Sequence, residues 1–418
     1  MRKFRPSGAL WAHAGFMRLW AAQTVSSFGA RIAREGFAMT AILTIHAPPS
    51  ELGILAAMAR GPGVVVGLVA GGFVDRSSRR RVMMASDLLR AALILTIPLA
   101  AWLHLLTMMQ LYVCAALVGA GNALFEIADH AFLPSLVERE NLLDGNAKLG
   151  TTDSIAEIGG PALAGTLFQL FTAPLAMLTT AFTYLISAAF LSTVSEREIP
   201  PEASLERPRW YRDVGETWRF AMREPLLRPL MCMAIVTNVA SGFFAALYLV
   251  YGLKVLGMSP ALMGVNIAMG GIGALIGAAF APRLAGRFGF GVTLVTAFFA
   301  TDLFLLLVPL AHGPPWFSTS MMMAAQLGGD AMALVPLILM TSLRQSIVPP
   351  AMLARNAALV SAIVGGMTLT GALSGGFLGN YIGIRATLFL AVATLVAGHA
   401  FTLFSPLRNL EKIPDSPS

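Results

Sequence analysis

Charged residues are scarce in this chain. They make up 12% of its 418 residues, and 56% of the residues are hydrophobic, whereas soluble domains carry about 25% charged residues. Uncharged stretches that are long enough to cross a bilayer as helices occur at 91–125, 158–195, 229–253, 255–282, 303–329, 356–384 and 386–407. This pattern excludes a soluble enzyme, and the unbroken apolar runs exclude an outer-membrane barrel, whose short strands alternate in polarity.

Cysteine is almost absent, and other signatures of cofactor chemistry are missing. Cys114 and Cys232 both lie in apolar runs, which excludes a disulfide framework and a cysteine-based metal site. No glycine-rich ATP-binding loop of the G-x-x-x-x-G-K-[ST] type occurs. We therefore expect no cofactor, no metal and no direct use of ATP. The basic start is not followed by a short apolar stretch with a cleavage site, so we expect no removable signal peptide.

Turn signals and charges predict twelve membrane-spanning helices in two bundles of six. The predicted spans are about 16–43, 51–74, 82–104, 107–132, 148–171, 174–194, 227–253, 260–282, 289–311, 315–340, 352–378 and 384–406. The fold class is therefore an all-α membrane protein. We expect an N-terminal bundle over 1–194, a charged cytoplasmic linker with an interfacial helix over 195–226, and a C-terminal bundle over 227–418.

The distribution of basic residues fixes the orientation of these spans. Lysines and arginines concentrate in the loops on one side, and only Lys254 and Arg385 lie on the other. By the positive-inside rule both termini lie in the cytoplasm, which suits a multi-pass protein of the bacterial inner membrane. The net charge of +7 is then a topology signal, so we expect contact with membrane lipid and none with nucleic acid. We also expect a monomer.

Glycines four residues apart mark several predicted spans. Such strips occur in spans 2, 8 and 11, for example Gly63 with Gly67 and Gly371 with Gly375, and span 5 carries a glycine pair beside a proline. Small residues at this spacing let a second helix approach closely. Static packing explains such strips, and so does the movement of helices against each other in a two-half transporter. Their presence in four spans favours movement.

A loop after predicted span 2 carries a family signature. It reads Gly71-Gly72-Phe73-Val74-Asp75-Arg76-Ser77-Ser78-Arg79-Arg80, and it resembles the G-x-x-x-D-R-x-G-R-R/K loop of the major facilitator superfamily, with Ser78 in place of the second glycine. The run 125–137 and the segment 219–228 resemble the branch of drug:proton antiporters that includes macrolide and siderophore exporters. In this chain Ile127-Ala128-Asp129 replaces the Pro-Ala-Arg that is common there.

The resemblance implies a secondary transporter that works by alternating access. It also implies that the loop signature acts as a conformational latch, formed by Gly71, Asp75, Arg76, Arg79 and Arg80. We expect Asp75 to accept hydrogen bonds from the start of span 11, where the helix dipole favours an anion. We expect Arg79 and Arg80 to pair with carboxylates of the first bundle.

Ionisable residues inside the spans are concentrated in the first half, where each is a candidate for function. Residues three or four apart share a helix face, which gives three clusters: Arg31 with Arg34 and Glu35; Glu126 with Asp129 and His130; and Asp153 with Glu157. In the superfamily, spans 1 and 4 line the central cavity, so the first two clusters are expected to face each other. Arg90 with Asp87, and Asp75 with the basic loop, are expected to be structural charge pairs. Asp302 is expected to be a satisfied buried polar group.

The clusters suggest separate roles. Two carboxylates one turn apart repel each other when both are ionised, and a histidine beside them can pass a proton. We therefore predict proton coupling at Glu126, Asp129 and His130, with Asp153 and Glu157 as the second candidates. We predict substrate binding at Arg31, Arg34 and Glu35. Arg31 and Glu35 are expected to neutralise each other, which leaves Arg34 with no partner on its own helix. Arg34 is then expected to face water, a carboxylate of span 4 or an anionic group of the substrate.

These observations predict a transporter that exports a medium-sized amphipathic compound, such as a drug or siderophore, in exchange for protons. An alternative with the same fold imports a siderophore or another anionic solute together with protons. A membrane receptor that binds without transport is a further alternative. None of the three is an enzyme.

Overall fold

Helices account for the regular structure of the chain. The computed structural model describes residues 10–194 and 210–412, and these ranges contain no β-strand. The helices of the first part are α1 (Ala14–Thr40), α2 (Pro49–Val69), α3 (Gly71–Asp75), α4 (Arg79–Trp102), α5 (Met108–Leu136), α6 (Leu142–Leu170) and α7 (Ala173–Ser192). Those of the second part are α8 (Trp210–Arg223), α9 (Leu227–Val250), α10 (Pro260–Phe288), α11 (Phe290–Leu310), α12 (Pro315–Ile347), α13 (Leu353–Tyr381) and α14 (Ile384–Ala400).

Each of the twelve predicted spans overlaps one long helix. Nine of the helices in the described ranges are long and apolar enough to cross a membrane by length and composition. The long helices outside this set are α1, α2 and α6. α1 contains Arg31 and Arg34 and α6 contains Asp153 and Glu157, so the charges that mark candidate chemistry also lower the hydropathy of these helices.

Several helices extend beyond their predicted ends. α6 begins at Leu142, α10 continues to Phe288 and α12 continues to Ile347. Apolar runs predict only the part of a helix that is free of charge, whereas the backbone continues as a helix into the charged flanks. Predicted span 2 is interrupted at Ala70, after which the chain forms the short helix α3.

The described residues divide into two compact units. The first comprises the described parts of 10–47 and 58–194, and the second comprises 48–57 and 210–412. Residues 48–57 belong to the second unit, where a Cβ on Gly53 would meet the backbone of α13 at Ala372 and Gly376. Within the first unit α1 packs on α6 and α7, and α4 packs on α5 and α7.

Glycine strips of the second unit serve packing between its own helices. A Cβ added at Gly371 would meet the carbonyl oxygen of Val239 on α9, and one at Gly277 would meet that of Ala331 on α12. The α9–α13 and α10–α12 pairs accordingly make the most extensive helix contacts in the described part of this unit. These contacts favour static packing as the role of the glycines in spans 8 and 11, two of the four spans in which strips were predicted.

The segment predicted to form an interfacial helix is helical in the structure. α8 occupies part of the linker, and its residues Thr217 and Ala221 are fully buried, on a helix that packs against α9 and α13. Residues 195–209 of the predicted linker lie outside the described residues. A position of α8 at the membrane surface stays a prediction.

Candidate functional site: a charged cavity in the first unit

A cavity of about 320 Å³ lies within the first unit. Side chains from α1, α2, α4, α5 and α6 form its wall. Its polar lining consists of Gln23, Ser26, Ser27, Arg31, Arg34, Arg60, Arg90, Asn122, Glu126, Asp129, His130 and Asp153. The predicted clusters of spans 1 and 4 therefore line one space, together with Asp153 of α6.

Glu157 of α6 holds two arginines of α1. Its Oε2 atom lies 2.8 Å from Nη1 of Arg31, and its Oε1 atom lies 2.9 Å from Nη2 of Arg34. The Nε atom of Arg34 also lies 3.1 Å from Oε1 of Glu35. The prediction that Arg31 pairs with Glu35 and leaves Arg34 without a partner on its own helix is wrong. Helix periodicity could not reveal this, because Glu157 comes from another helix.

A glycine explains how α1 and α6 approach closely enough for these bonds. Gly160 follows Glu157 by three residues and therefore shares its helix face. A Cβ on Gly160 would lie 2.5 Å from Cβ of Arg31, which is closer than any real pair of such atoms. The absence of a side chain at Gly160 lets the backbone of α6 lie against the base of Arg31.

Carboxylates form the other end of the cavity. Asp129 is 5% exposed, its Oδ1 atom is buried, and no hydrogen-bond donor in the described part of the chain reaches that atom. The charges that act on Asp129 most directly are the carboxylates of Asp153 and Glu126. Asp153 in turn accepts a hydrogen bond of 2.7 Å from the hydroxyl of Ser27. The predicted pair of Asp153 and Glu157 is thus divided, with Asp153 beside the acidic end and Glu157 beside the arginines.

Glu126 and His130 differ from Asp129 in their exposure. Both side chains are exposed, whereas Asp129 between them is buried. All three line the cavity. The acidic end therefore combines one buried carboxylate with an exposed carboxylate and an exposed imidazole, and their role in proton coupling stays a prediction.

Arg90 lines the same cavity, but its guanidinium group is already engaged by polar and aromatic side chains of α4 and of the helices next to it. Its Nη2 atom lies 2.5 Å from Oδ1 of Asp87, and its Nη1 atom donates to Oδ1 of Asn122 at 2.6 Å. The guanidinium carbon lies 4.7 Å from the ring centre of Phe125 and 4.3 Å from that of Tyr184. The predicted Arg90–Asp87 pair is confirmed, and its enclosure indicates a structural role.

The predicted latch is described only in part. Gly71 and Asp75 are the first and last residues of α3, but their side-chain surroundings lie outside the described residues, so the predicted bond of Asp75 to span 11 stays a prediction. Arg76 is exposed. Ser78, which replaces the glycine of the family signature, accepts a hydrogen bond of 3.3 Å from the backbone N–H of Arg81 and caps the start of α4.

Two arginines, Arg80 of the predicted latch and Arg18 of α1, donate hydrogen bonds at the C-terminal end of α7. Arg80 donates to the carbonyl oxygen of Ser192 at 2.6 Å, and Arg18 of α1 donates to that of Thr193 at 2.5 Å. Positive charge is favourable at a helix C-terminus, where carbonyl groups lack partners within the helix. Arg80 therefore stabilises a helix end, a contact that the predicted pairing with carboxylates did not include. Arg79 follows Ser78 as the first residue of α4, and its predicted pairing stays a prediction.

Sequence reasoning missed a polar network in the second unit. Nδ1 of His399 on α14 lies 2.9 Å from Oδ2 of Asp302 on α11, and the side chains are 1% and 3% exposed. The other ring nitrogen of His399 lies 3.2 Å from the hydroxyl of Thr237 on α9. Asp302 is thus a satisfied buried group, as predicted, but its partner is 97 residues away and no local spacing could identify it.

A sequence profile that describes transmembrane secretion effectors matches residues 7–418. The chain belongs to this family of major facilitator transporters. It is therefore a multi-pass membrane protein of a transporter family, as the loop signature predicted. The family and fold are those of membrane transporters and not those of enzymes.

Two curated relatives match part of the chain. The uncharacterized MFS-type transporter YfiS of Bacillus subtilis (strain 168) is 28% identical over 278 residues, which cover 64% of this chain and 64% of YfiS. The multidrug efflux pump Tap of Mycolicibacterium fortuitum is 30% identical over 190 residues, which cover 44% of this chain and 46% of Tap. The chain thus spans less than two thirds of the length of either relative.

Solved structures share the fold over nearly the whole chain. A bacterial homologue of the iron transporter ferroportin in an inward-facing state matches with a TM-score of 0.74 and 17% identity, covering 95% of this chain and 99% of that chain. The nucleoside transporter NupG matches with a TM-score of 0.72 and 11% identity, covering 94% and 98% of the two chains. At these identities the similarity shows the fold alone.

Proposed function

We propose that this transporter is a twelve-span, monomeric exporter of the bacterial inner membrane, with both termini in the cytoplasm. It expels a medium-sized amphipathic compound in exchange for protons. Its family and its similarity to the multidrug efflux pump Tap support export. The ion pairs of Arg31 and Arg34 with Glu157 support membrane positions for α1 and α6, because paired charges lower the cost of insertion.

The observation that carries the proposal is the position of Asp129. Its carboxylate is buried on the cavity wall, its Oδ1 atom has no donor within the described ranges, and its charged neighbours are carboxylates. A buried carboxylate oxygen without a donor is costly when the group is charged, and a bound proton removes that cost. Exposed His130 and Glu126 lie within one helical turn and give the proton a route from water in the cavity.

The charge balance around the cavity also favours proton binding. The cavity lining and its paired side chains contain four arginines, namely Arg31, Arg34, Arg60 and Arg90. They contain six carboxylates, namely Glu35, Asp87, Glu126, Asp129, Asp153 and Glu157. With His130 neutral, ionisation of all these arginines and carboxylates leaves two negative charges in excess. Protonation of the acidic end removes that excess, since excess charge of one sign is unfavourable in a partly dehydrated space.

Proton binding and substrate binding are coupled through α6. Asp153 and Glu157 are four residues apart and lie on consecutive turns of one face. When Asp153 is ionised, it competes with Glu157 for Arg31. When it is protonated, Arg31 and Arg34 stay on Glu157. The charge of the acidic end thus determines how Arg31, Arg34 and Glu35 are presented to the substrate, which changes its affinity between the two protonation states.

Transport by vesicles with an imposed pH gradient tests the proposal. The probe is N-phenyl-1-naphthylamine, a neutral fluorescent amphiphile. We expect Asp129→Asn to lower gradient-driven transport at least tenfold while probe exchange at equilibrium continues, because a coupling group is needed only for the proton-linked step. Glu126→Gln and Asp153→Asn are measured beside it, with Asp302→Asn as the matched control in the second unit.

The outcomes separate the candidate carboxylates. Gradient-driven transport at the wild-type level in both Asp129→Asn and Glu126→Gln contradicts the assignment and moves the coupling site to Asp153 and Glu157. Transport that runs with the gradient, in which protons and probe move in the same direction, supports import by symport. Wild-type protein that binds the probe and never moves it contradicts transport of this class of compound.

A further inference from the structure

One arginine of the cavity has no counter-ion. Arg60 of α2 is exposed and lines the cavity. Across residues 10–194 and 210–412, no hydrogen bond and no ion pair involves its guanidinium group. The charges within electrostatic range of Arg60 are the like charge of Arg34 and the carboxylates of Glu35 and Glu157.

Those two carboxylates are already engaged by other arginines. Glu157 uses one oxygen for Arg31 and the other for Arg34, and Glu35 bonds to Nε of Arg34. Three guanidinium groups thus face two carboxylates, and one positive charge remains at this end of the cavity. A charge in a membrane-spanning helix is costly without a partner, so Arg60 must face water or a ligand.

Packing fixes the turn that carries Arg60 beside the cavity. Gly63 follows it by three residues on the same face of α2, and a Cβ on Gly63 would lie 3.1 Å from the carbonyl oxygen of Gly119 on α5. A Cβ on Gly119 would in turn meet the carbonyl oxygen of Ala59. The two glycines therefore hold α2 and α5 in backbone contact next to Arg60, so its backbone is held while its guanidinium group stays exposed.

We propose that Arg60 recognises an oxyanion, a carboxylate or sulfonate, on the transported amphiphile. Its planar guanidinium group offers paired N–H donors that match such a group. Arg31 and Arg34 are held by Glu157 and Glu35, line the same cavity and support the site by their charge. This inference rests on the proposed export of an amphipathic compound, and it adds a preference for amphiphiles that carry an acidic group over neutral ones.

Two matched probes test the inference. The fluorescent anion 8-anilinonaphthalene-1-sulfonate has the same ring system as neutral N-phenyl-1-naphthylamine and adds one sulfonate group. Binding is measured as the stabilisation of the purified protein against thermal unfolding at increasing probe concentration. We expect Arg60→Gln to raise the half-saturating concentration of the anion at least tenfold and that of the neutral probe less than twofold. Arg60→Lys keeps the charge and is expected to fall between Arg60→Gln and the wild type.

The control variant removes a positive charge elsewhere. Arg283 is exposed on α10 of the second unit and donates to the carbonyl oxygen of Ala279, so Arg283→Gln tests the effect of net charge alone. Equal losses for both probes in Arg60→Gln, an equal loss of the anion in Arg283→Gln, or a folded wild type that does not bind the anion each overturn the inference. Normal anion binding without pH-driven transport of either probe overturns proton-coupled export and leaves the anion site intact.

Discussion

The two units use buried charge in different ways. In the first unit, ion pairs and unpaired carboxylates share a cavity with the exposed guanidinium group of Arg60. In the second unit, Asp302 and His399 are closed off in the helix packing, at 3% and 1% exposure. Charge that is reachable from a cavity can bind and release ions, whereas charge enclosed by side chains mainly orders the helices around it.

Glycines beside arginines also distinguish the first unit. There, Gly160 makes room for the base of Arg31, and Gly121 lies where a Cβ would come 3.0 Å from Cγ of Arg90. In the second unit, Gly371 lies directly against the backbone of a neighbouring helix. Glycines of the first unit therefore seat arginines in addition to bringing helix backbones together, as Gly63 and Gly119 do, whereas Gly371 serves backbone contact alone.

The largest effect is expected from Arg90. Arg90→Leu leaves the carboxylate of Asp87 buried without its cation, and removal of one partner of a buried pair costs about 3–5 kcal/mol. Thermal unfolding of the purified protein is expected to show this loss, and the exposed Arg283→Leu gives the control. If the double variant Asp87→Asn with Arg90→Leu is as unstable as Arg90→Leu alone, the stranded carboxylate is not the cause. An effect of Arg90→Leu no larger than that of Arg283→Leu contradicts a structural role for the pair.

A smaller effect is expected from the glycines of the second unit. Gly371→Ala places a Cβ against the carbonyl oxygen of Val239, and the required shift between α9 and α13 costs about 1–3 kcal/mol. A Cβ added at Gly366 on the same helix would meet no atom within 4 Å, so Gly366→Ala is expected to stabilise the helix by up to about 1 kcal/mol. Thermal unfolding of the two variants gives the comparison. Equal changes in both contradict backbone contact as the role of Gly371.

The sequence predicts the positions of the long helices because apolar runs of sufficient length are typical of membrane-spanning helices. It also predicts which ionisable residues matter in the first unit, because a charge within such a run requires an explanation. Glu126, Asp129 and His130 share a face by their spacing alone, and all of them line the cavity. The loop signature of residues 71–80 predicts the superfamily, which the family match confirms.

Pairing between helices could not be predicted in the same way. Arg31 and Glu35 have the spacing of a favourable pair on one helix, yet Arg31 bonds to Glu157 on α6, far along the chain. Helical spacing reports which residues share a face, but the partner on another helix depends on how the helices pack. For the same reason the arginine without a counter-ion in the described ranges is Arg60 and not Arg34, and the partner of Asp302 is His399.

The smallest effect is expected from Asp302→Asn, which replaces the buried carboxylate by an amide of nearly the same shape. The amide can still bond to Nδ1 of His399, so the cost is that of one altered hydrogen bond, about 0.5–1.5 kcal/mol. Transport driven by a pH gradient is expected to stay within twofold of the wild type, whereas Asp129→Asn loses it. Thermal unfolding and vesicle transport, measured on the same preparation, separate stability from coupling. If Asp302→Asn abolishes gradient-driven transport while its unfolding temperature is unchanged, proton coupling involves the second unit as well, and the contrast between the enclosed and the accessible carboxylate does not hold.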